Sequence, residues 1–335
     1  MTDLMAGART SPSVAAIQKR LDADLDRFYR ELRERLRSDV FLIDQGARYL
    51  LRSRGKGVRP FLVLACARLF GEPTPLTYRA AMVVELFHTA TLVHDDVVDA
   101  SQERRGLPTF NRIWGGKYAV LFGDYLLAHS LVATLESRRL EIVDLLATAA
   151  RRIITGQLKE WVRVRERDVG RESYFSMIGD KTAALFRACT HLSALTMDRP
   201  ESDCRALGEF GESIGMAFQI RDDVLDFIGR RSLLRKPSGS DVRQGKFTLP
   251  LILALETASD TERSSVLGMI RSDKSRSKHA SRIAEFVRRQ DGIARAQLAA
   301  EDCARRGLAA IADVGDSEVR ALLGDFVNSI TQRTK

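Results

Sequence analysis

The sequence predicts an all-α protein, a single large bundle of ten or more helices. Three observations lead there. Apolar residues recur at intervals of three and four along most of the chain, the period of an amphipathic helix. Only 23 glycines and 8 prolines interrupt 335 residues, and the rest is rich in Ala, Leu, Arg and Glu, which are strong helix formers. Alternating period-two runs are absent, so no sheet is expected. A hydrophobic content of 44 % supplies a large core and argues against disorder.

Residues 1–13 read as a disordered N-terminal tail and 14–335 as one folded domain. Ser11-Pro12 has the form of a cap followed by a first-turn proline. Val14, Ile17, Leu21, Leu25, Phe28 and Leu32 then follow at helical spacing. Similar patterns run through about 76–99, 117–135, 139–165, 171–195 and 202–227. Breaks fall at 71–75, 106–116, 199–200 and 237–250, none long enough to be an interdomain linker. The basic, Ser-rich stretch 271–282 reads as a solvated loop.

The N-terminus lacks the apolar segment of a secretory leader, and no stretch approaches the ~20 uninterrupted apolar residues of a membrane span. Cys66, Cys189, Cys204 and Cys303 are scattered without metal or disulfide spacing. They read as buried small hydrophobes in a reducing cytoplasm. Lys and Arg outnumber Asp and Glu by 53 to 44, a net charge of +9. That excess is compatible with nucleic acid, a membrane surface or a small anionic substrate.

Two segments depart from ordinary amphipathic composition. In LVHDDVVD, Asp95, Asp96 and Asp99 stand at i, i+1 and i+4; in FQIRDDVLD, Asp222, Asp223 and Asp226 repeat that spacing. At about 100° per residue all three carboxylates of a set share one helix face. Aspartate is a poor helix former, clustered like charges repel, and apolar neighbours make an unpaired charge expensive. Two such sets imply a compensating cation. All-oxygen donors suit Mg²⁺, Mn²⁺ or Ca²⁺. The Glu-x-x-His pairs of a di-iron bundle and the glycine-bearing calcium loop are both missing. Mg²⁺ takes one or two carboxylates plus substrate phosphates, so two facing clusters point to a Mg²⁺-bridged diphosphate.

Cations that would contact a diphosphate directly lie beside the breaks. Lys56 and Arg59 sit in GKGVRP, where a helix would begin and its dipole favours anions. The phosphate-loop spacing is absent there. Arg104 and Arg105 follow the first Asp set, Lys181-Thr182 lies within a helical pattern, and Lys236 and Lys246 follow the second set. His88 and Gln219 fall on the Asp faces of their helices, and Gly215 leaves room on that stripe.

At these residues the chain resembles the trans-polyprenyl diphosphate synthases of the polyprenyl synthetase family, most closely the bacterial long-chain members that make quinone side chains. The matching motifs are GKGVRP (55–60), LVHDDVVD (92–99), RRG (104–106), GDKTAALF (179–186), FQIRDDVLD (218–226) and GKFTLPL (245–251). The resemblance implies an all-α fold around a central cavity, of isoprenoid synthase type, usually as a cytoplasmic homodimer. It implies that 14–335 is a catalytic domain, a prenyltransferase elongating an allylic diphosphate (farnesyl, geranyl or dimethylallyl) with isopentenyl diphosphate. It implies two or three Mg²⁺ ions held by Asp95, Asp96 and Asp99 and by Asp222, Asp223 and Asp226, with Asp222 the principal ligand of the second set. Lys56, Arg59, His88 and Arg105 would hold isopentenyl diphosphate. Arg104, Lys181 and Lys246 would contact the allylic diphosphate, with Thr182 and Gln219 near the reacting carbons. No nucleic acid and at most peripheral membrane contact are expected.

The loop before Pro237 departs from the family pattern. Arg235 stands where a glycine is usual and the preceding acids are missing, which bears on Lys236; Asp241 matches a later acid of the family. The resemblance also makes Ala90, five residues before the first motif, part of the floor of the product cavity, with Thr91 beside it and Phe87 as the next layer. A small residue there implies an all-trans product longer than fifteen carbons. The alternative is a non-catalytic or partner-dependent subunit of a heteromeric synthase. A terpene cyclase or head-to-head condensing enzyme would lack the GKxxRP and RRG set that this chain carries.

Overall fold

The computed structural model describes residues 12–53, 55, 57–104, 106–228, 239–270 and 273–331. Among these the chain is all-α, with sixteen α-helical segments and one two-stranded ladder. The first helix, α1 (Pro12–Arg35), opens on the proline expected to start it; the rest of the proposed tail, like Lys56, Arg105, Arg235 and Lys236, lies outside the described residues. The fold parts into two compact units, one comprising Met1–Ala147, Ala188–Gly208 and Ala312–Asp325, the other Thr148–Arg187, Glu209–Ile311 and Phe326–Lys335.

In the first unit, α1 buries Leu21, Leu25, Phe28, Leu32 and Leu36, the expected stripe carried one turn further. Next come α2 (Phe41–Arg52), α3 (Val58–Arg68) and α4 (Pro75–Val98). Helix α3 is buried from Pro60 through Arg68, as befits a helix apolar on all sides. Its Arg68 donates to Asp24 of α1 at 2.6 Å, and Tyr78 of α4 donates to the other Asp24 oxygen at 2.7 Å. Thr74 starts α4 with a reciprocal cap to Thr77, and Pro75 occupies the first turn.

Two short strands, β1 (Glu103–Arg104) and β2 (Leu107–Pro108), pair antiparallel and lead to α5 (Phe110–Trp114) and α6 (Gly116–Leu135). This ladder differs from the expectation of no sheet. It is only two residue pairs long, too short for an alternating pattern, and its reversal uses Gly106 at φ 77°. Helix α6 is also long and apolar enough, by length and composition, to cross a membrane. It meets that criterion despite Lys117 and Asp124, which interrupt its apolar run. Its Val120, Leu121, Leu131, Val132 and Leu135 form one exposed apolar stripe.

The second unit takes most of α7 (Leu140–Glu166), then α8 (Arg171–Ile178), a π turn (Gly179–Ala183) and the start of α9 (Ala184–Thr196). It also takes most of α10 (Glu201–Ile228), followed by α11 (Ser240–Arg243), α12 (Leu249–Thr257), α13 (Asp260–Ile270), α14 (Asp273–Arg289), α15 (Gly292–Ala310) and the end of α16 (Ser317–Thr331). Helix α14 replaces part of the solvated loop expected at 271–282. Its Ala280, Ile283, Ala284, Phe286 and Val287 are buried at helical spacing, so a packed face overrides the polar composition. All four cysteines are buried and reduced, as their scatter implied, and burial pushes the Cys189 thiol up to about 12.

The Asp24–Arg68 pair sets a test of the first unit. Both side chains are under one-tenth exposed. Asp24→Ala strands a buried guanidinium, with only the exposed Glu72 left to it, and should lower unfolding free energy by about 3 kcal/mol. Urea denaturation followed by circular dichroism measures this, and a loss below about 1 kcal/mol would contradict the reading.

Candidate active site

Helix α3 begins after Gly57, which caps it at φ 62°. A side chain there would collide with the Tyr29 hydroxyl, 2.4 Å from the added carbon. Arg59 thus stands in the first turn, where unpaired amides favour an anion. His88 lies further along α4, half-buried, and its carbonyl accepts a hydrogen bond from Thr91 at 2.7 Å.

The first Asp set occupies the C-terminal end of α4. Asp95 and Asp96 close the last turn and Asp99 caps it, with Ala100 in the left-handed region at φ 49°. The helix dipole is negative there, so every carboxylate is in its least favourable position. Asp96 is 4 % exposed. The β1–β2 hairpin returns Arg104 to it, with Nε 3.0 Å from each carboxylate oxygen and Nη2 2.8 Å from Oδ1. Asp95 is half-buried and Asp99 exposed. His94 braces this end of α4 against α6, with Nε2 3.1 Å from the Val120 carbonyl and 3.4 Å from Asp124. Gly123 makes room for its ring, since a Cβ there would lie 2.2 Å from Nε2.

The second Asp set lies toward the C-terminal part of α10, with Asp226 in its last described turn. Asp222 is exposed, whereas Asp223 is 4 % exposed and hydrogen-bonded within the protein. Tyr174 donates its hydroxyl to Asp223 at 2.6 Å and Gln219 donates Nε2 at 2.9 Å. Burial, then the charge of Asp241, push the Asp223 carboxyl well above its usual range; the two donors oppose this, and Asp222 adds to it. Burial and the neighbouring Asp223 and Asp241 likewise raise the Tyr174 phenol. Asp226 accepts from the backbone amides of Ser240 and Asp241, both at 3.1 Å, and so fixes the start of α11.

Around Asp223 the second unit forms a cavity of about 120 Å³. It is lined by Glu160, Lys181, Thr182, Gln219, Asp241 and Lys246 among others. Thr182 donates its hydroxyl to Gln219 at 2.7 Å, and Gln219 passes the chain on to Asp223. Lys181 donates to Glu160, and Lys246 lies 3.3 Å from the other Glu160 oxygen. Burial raises the Glu160 carboxyl, but the charges of Lys246 and Lys181 outweigh it and hold the group below its usual value.

The structure therefore gathers Lys181, Thr182, Gln219, Asp223 and Lys246 about one cavity, and Asp96 with Arg104 in the other unit. Ala90 is fully buried, on the stripe of Leu86 and Val93, whereas Thr91 is half-buried on the stripe of His88 and Asp95. Sequence reasoning missed Glu160 and Tyr174. A lone Glu in an amphipathic helix reads as surface; the only hint was Gly156 one turn earlier, marking a close approach on the same face. Among the described residues no three His, Cys, Asp or Glu side chains converge into a ready metal cage. The donor set is nonetheless a hard cation's, and such an ion would complete its shell with substrate oxygens.

The Polyprenyl synthetase family profile matches residues 41–287. The chain is 37 % identical over 245 residues to the octaprenyl diphosphate synthase of Haemophilus influenzae, covering 72 % of this chain and 74 % of that protein. It is 33 % identical over 313 residues to heptaprenyl diphosphate synthase component 2 of Geobacillus stearothermophilus, covering 93 % and 97 %. The crystal structure of a polyprenyl synthase from Caulobacter crescentus CB15, complexed with calcium and isoprenyl diphosphate, superposes with a TM-score of 0.87 at 32 % identity, covering 98 % of this chain and all of that one. These likenesses define an enzyme of the prenyl diphosphate synthase class. The chain belongs to the polyprenyl synthetase family.

Glu160 gives a pH test. Its folded carboxyl is depressed, so the charged form contributes stability above its ordinary value of 4.5. That contribution is lost as pH falls through 4.5 toward the folded value. Glu160→Gln lacks it at every pH, so the gap in melting temperature between wild type and variant should close as the solution is acidified. Thermal melts between about pH 3 and 7 check this; a gap independent of pH would contradict it.

Proposed function

We propose that this protein is a Mg²⁺-dependent prenyltransferase that elongates an allylic diphosphate with isopentenyl diphosphate to an all-trans product longer than fifteen carbons, a precursor of quinone side chains. The observation that carries the reading is the pair of lysines, Lys181 and Lys246, held on Glu160 in a cavity that also presents the Thr182–Gln219–Asp223 chain. Asp95, Asp96 and Asp99 and Asp222, Asp223 and Asp226 would hold the ions. Their placement at two helix ends, where negative charge is disfavoured, supports a cation there. Bound Mg²⁺ supplies neutralisation of the charge that develops on a departing diphosphate.

The chain's own groups do the rest. Lys181 and Lys246 bind the diphosphate and stabilise it as it leaves, with Glu160 keeping both ammonium groups aimed inward. The Thr182 hydroxyl commits its proton to Gln219, so its oxygen presents lone pairs, the polarity a nascent allylic cation requires. Arg59, His88 and the family positions Lys56 and Arg105 would hold isopentenyl diphosphate, and Arg104 and Lys236 would assist the allylic substrate. The alkene attacks the cation and a proton is then lost. Water that would quench the cation must be kept from it.

We read the working unit as a cytoplasmic homodimer. The exposed apolar stripe of α6 supports a partner surface. A second reading, a subunit that needs a different partner, is favoured by the likeness to a protein named component 2. Purified chain with Mg²⁺, farnesyl diphosphate and labelled isopentenyl diphosphate decides between them. Elongation by the chain alone is expected, and its absence without a partner would favour the second reading. Asp95→Ala or Asp222→Ala should lower the rate by roughly a hundredfold or more with helical content retained. Ala90→Tyr should shorten the product, and unchanged product length in a folded variant would remove Ala90 from the cavity floor.

A further inference from the structure

The helix carrying Lys181 is interrupted at that residue. Between α8 and α9 the segment Gly179–Ala183 forms a π turn, in which the Ala184 amide donates to the Gly179 carbonyl five residues back. One extra residue rotates everything after it by roughly 100° relative to an uninterrupted helix. Such turns are intrinsically poor and persist where surroundings hold them.

Here the surroundings are specific. Asp180 accepts Arg152 Nε at 2.8 Å and Lys159 Nζ at 2.6 Å, both from α7. The two cations outweigh partial burial, which alone would raise the Asp180 carboxyl, and hold it below its usual value. Arg152 Nη2 also reaches the Gly179 carbonyl at 3.2 Å and Glu212 of α10 at 2.8 Å, and Arg187 meets the second Glu212 oxygen at 3.1 Å. Backbones press on the turn from both sides. A Cβ on Gly156 of α7 would lie 2.2 Å from the Lys181 amide nitrogen, and one on Gly215 of α10 would lie 2.7 Å from Ala183 Cα.

The charges also encode register. Consecutive residues of α7, Lys159 and Glu160, pair with consecutive residues of the turn, Asp180 and Lys181. A slip of one residue would set Lys159 against Lys181.

We infer that Asp180, clamped by Arg152 and Lys159, is a positioning residue that holds the π turn so that Lys181 and Thr182 enter the cavity. This rests on the reading of Lys181 and Thr182 as groups that act on the allylic substrate. Lys181, Thr182 and Gln219 line the cavity whereas Asp180, Arg152 and Lys159 are not among its lining residues, so loss of the clamp should affect turnover more than substrate binding.

Steady-state elongation kinetics test it, with D180N, D180E, R152Q and K181A compared with wild type. D180N should lose about tenfold or more in kcat, since small misplacements of reacting groups are costly. Both KM values should stay within about threefold, with unchanged circular dichroism. D180E, which keeps the charge, should recover much of the rate. The D180N/R152Q double variant should be no slower than the worse single variant. A wild-type kcat in D180N beside a crippled K181A would overturn the clamp alone, whereas a wild-type rate in K181A would overturn the site reading beneath it. Should D180N fail to fold, R152Q, which leaves Lys159 on Asp180, decides: an unchanged kcat overturns the proposal and a selective loss of kcat supports it.

Discussion

Six aspartates crowd into two sets toward the C-terminal parts of two helices, where like charges repel and the helix dipole gives no help, and much of the local architecture manages that charge. The two sets are handled alike. In each, the middle residue, Asp96 or Asp223, is 4 % exposed and engaged by protein donors, while the leading residue is more exposed. Arg104 engages Asp96 through two of its nitrogens; Tyr174 and Gln219 serve Asp223 without bringing a positive charge. Burial and the nearby Asp241 outweigh those neutral donors and push the Asp223 carboxyl well above its usual range. A neutral donor pair leaves a deficit that a cation must meet when the group is ionised.

The lysines present the mirror problem. Lys181 and Lys246 converge on Glu160, which offsets their mutual repulsion. The charges of the two lysines in turn hold the Glu160 carboxyl below its usual value despite its burial. On the proposed reading the same arrangement would ready the cavity for a dianion, because both lysines line it with Glu160 and the acid need only yield part of its hold. That economy depends on α7, which supplies Glu160, Lys159, Arg152 and the Gly156 contact within three turns.

Much of this was legible before the fold was known. The all-α class followed from periodicity, and the α1 stripe from Leu21 to Leu32 was read residue by residue. The Asp sets stood out because they break the composition of the helices that carry them. Three kinds of feature were not legible. The β1–β2 hairpin is too short to produce a pattern. Helix α14 looks like a solvated loop because its apolar residues are crowded into one late stretch, 280–287, behind a basic and Ser-rich start.

The third kind is the most instructive. Lys159-Glu160 and Asp180-Lys181 each look like ordinary surface dipeptides of opposite charge, interchangeable with dozens of others on a chain that is 29 % charged. Their meaning lies in the pairing between them, which is non-local and of crossed sign. A single sequence shows the composition of each half but not that the halves meet. Nor does it show the π turn, which shifts register without any Gly or Pro at its centre; its glycine, Gly179, merely opens it. The determinants of placement are therefore hidden for a physical reason: they are ordinary residues made specific by register, whereas the two Asp sets announce themselves by being unfavourable where they stand.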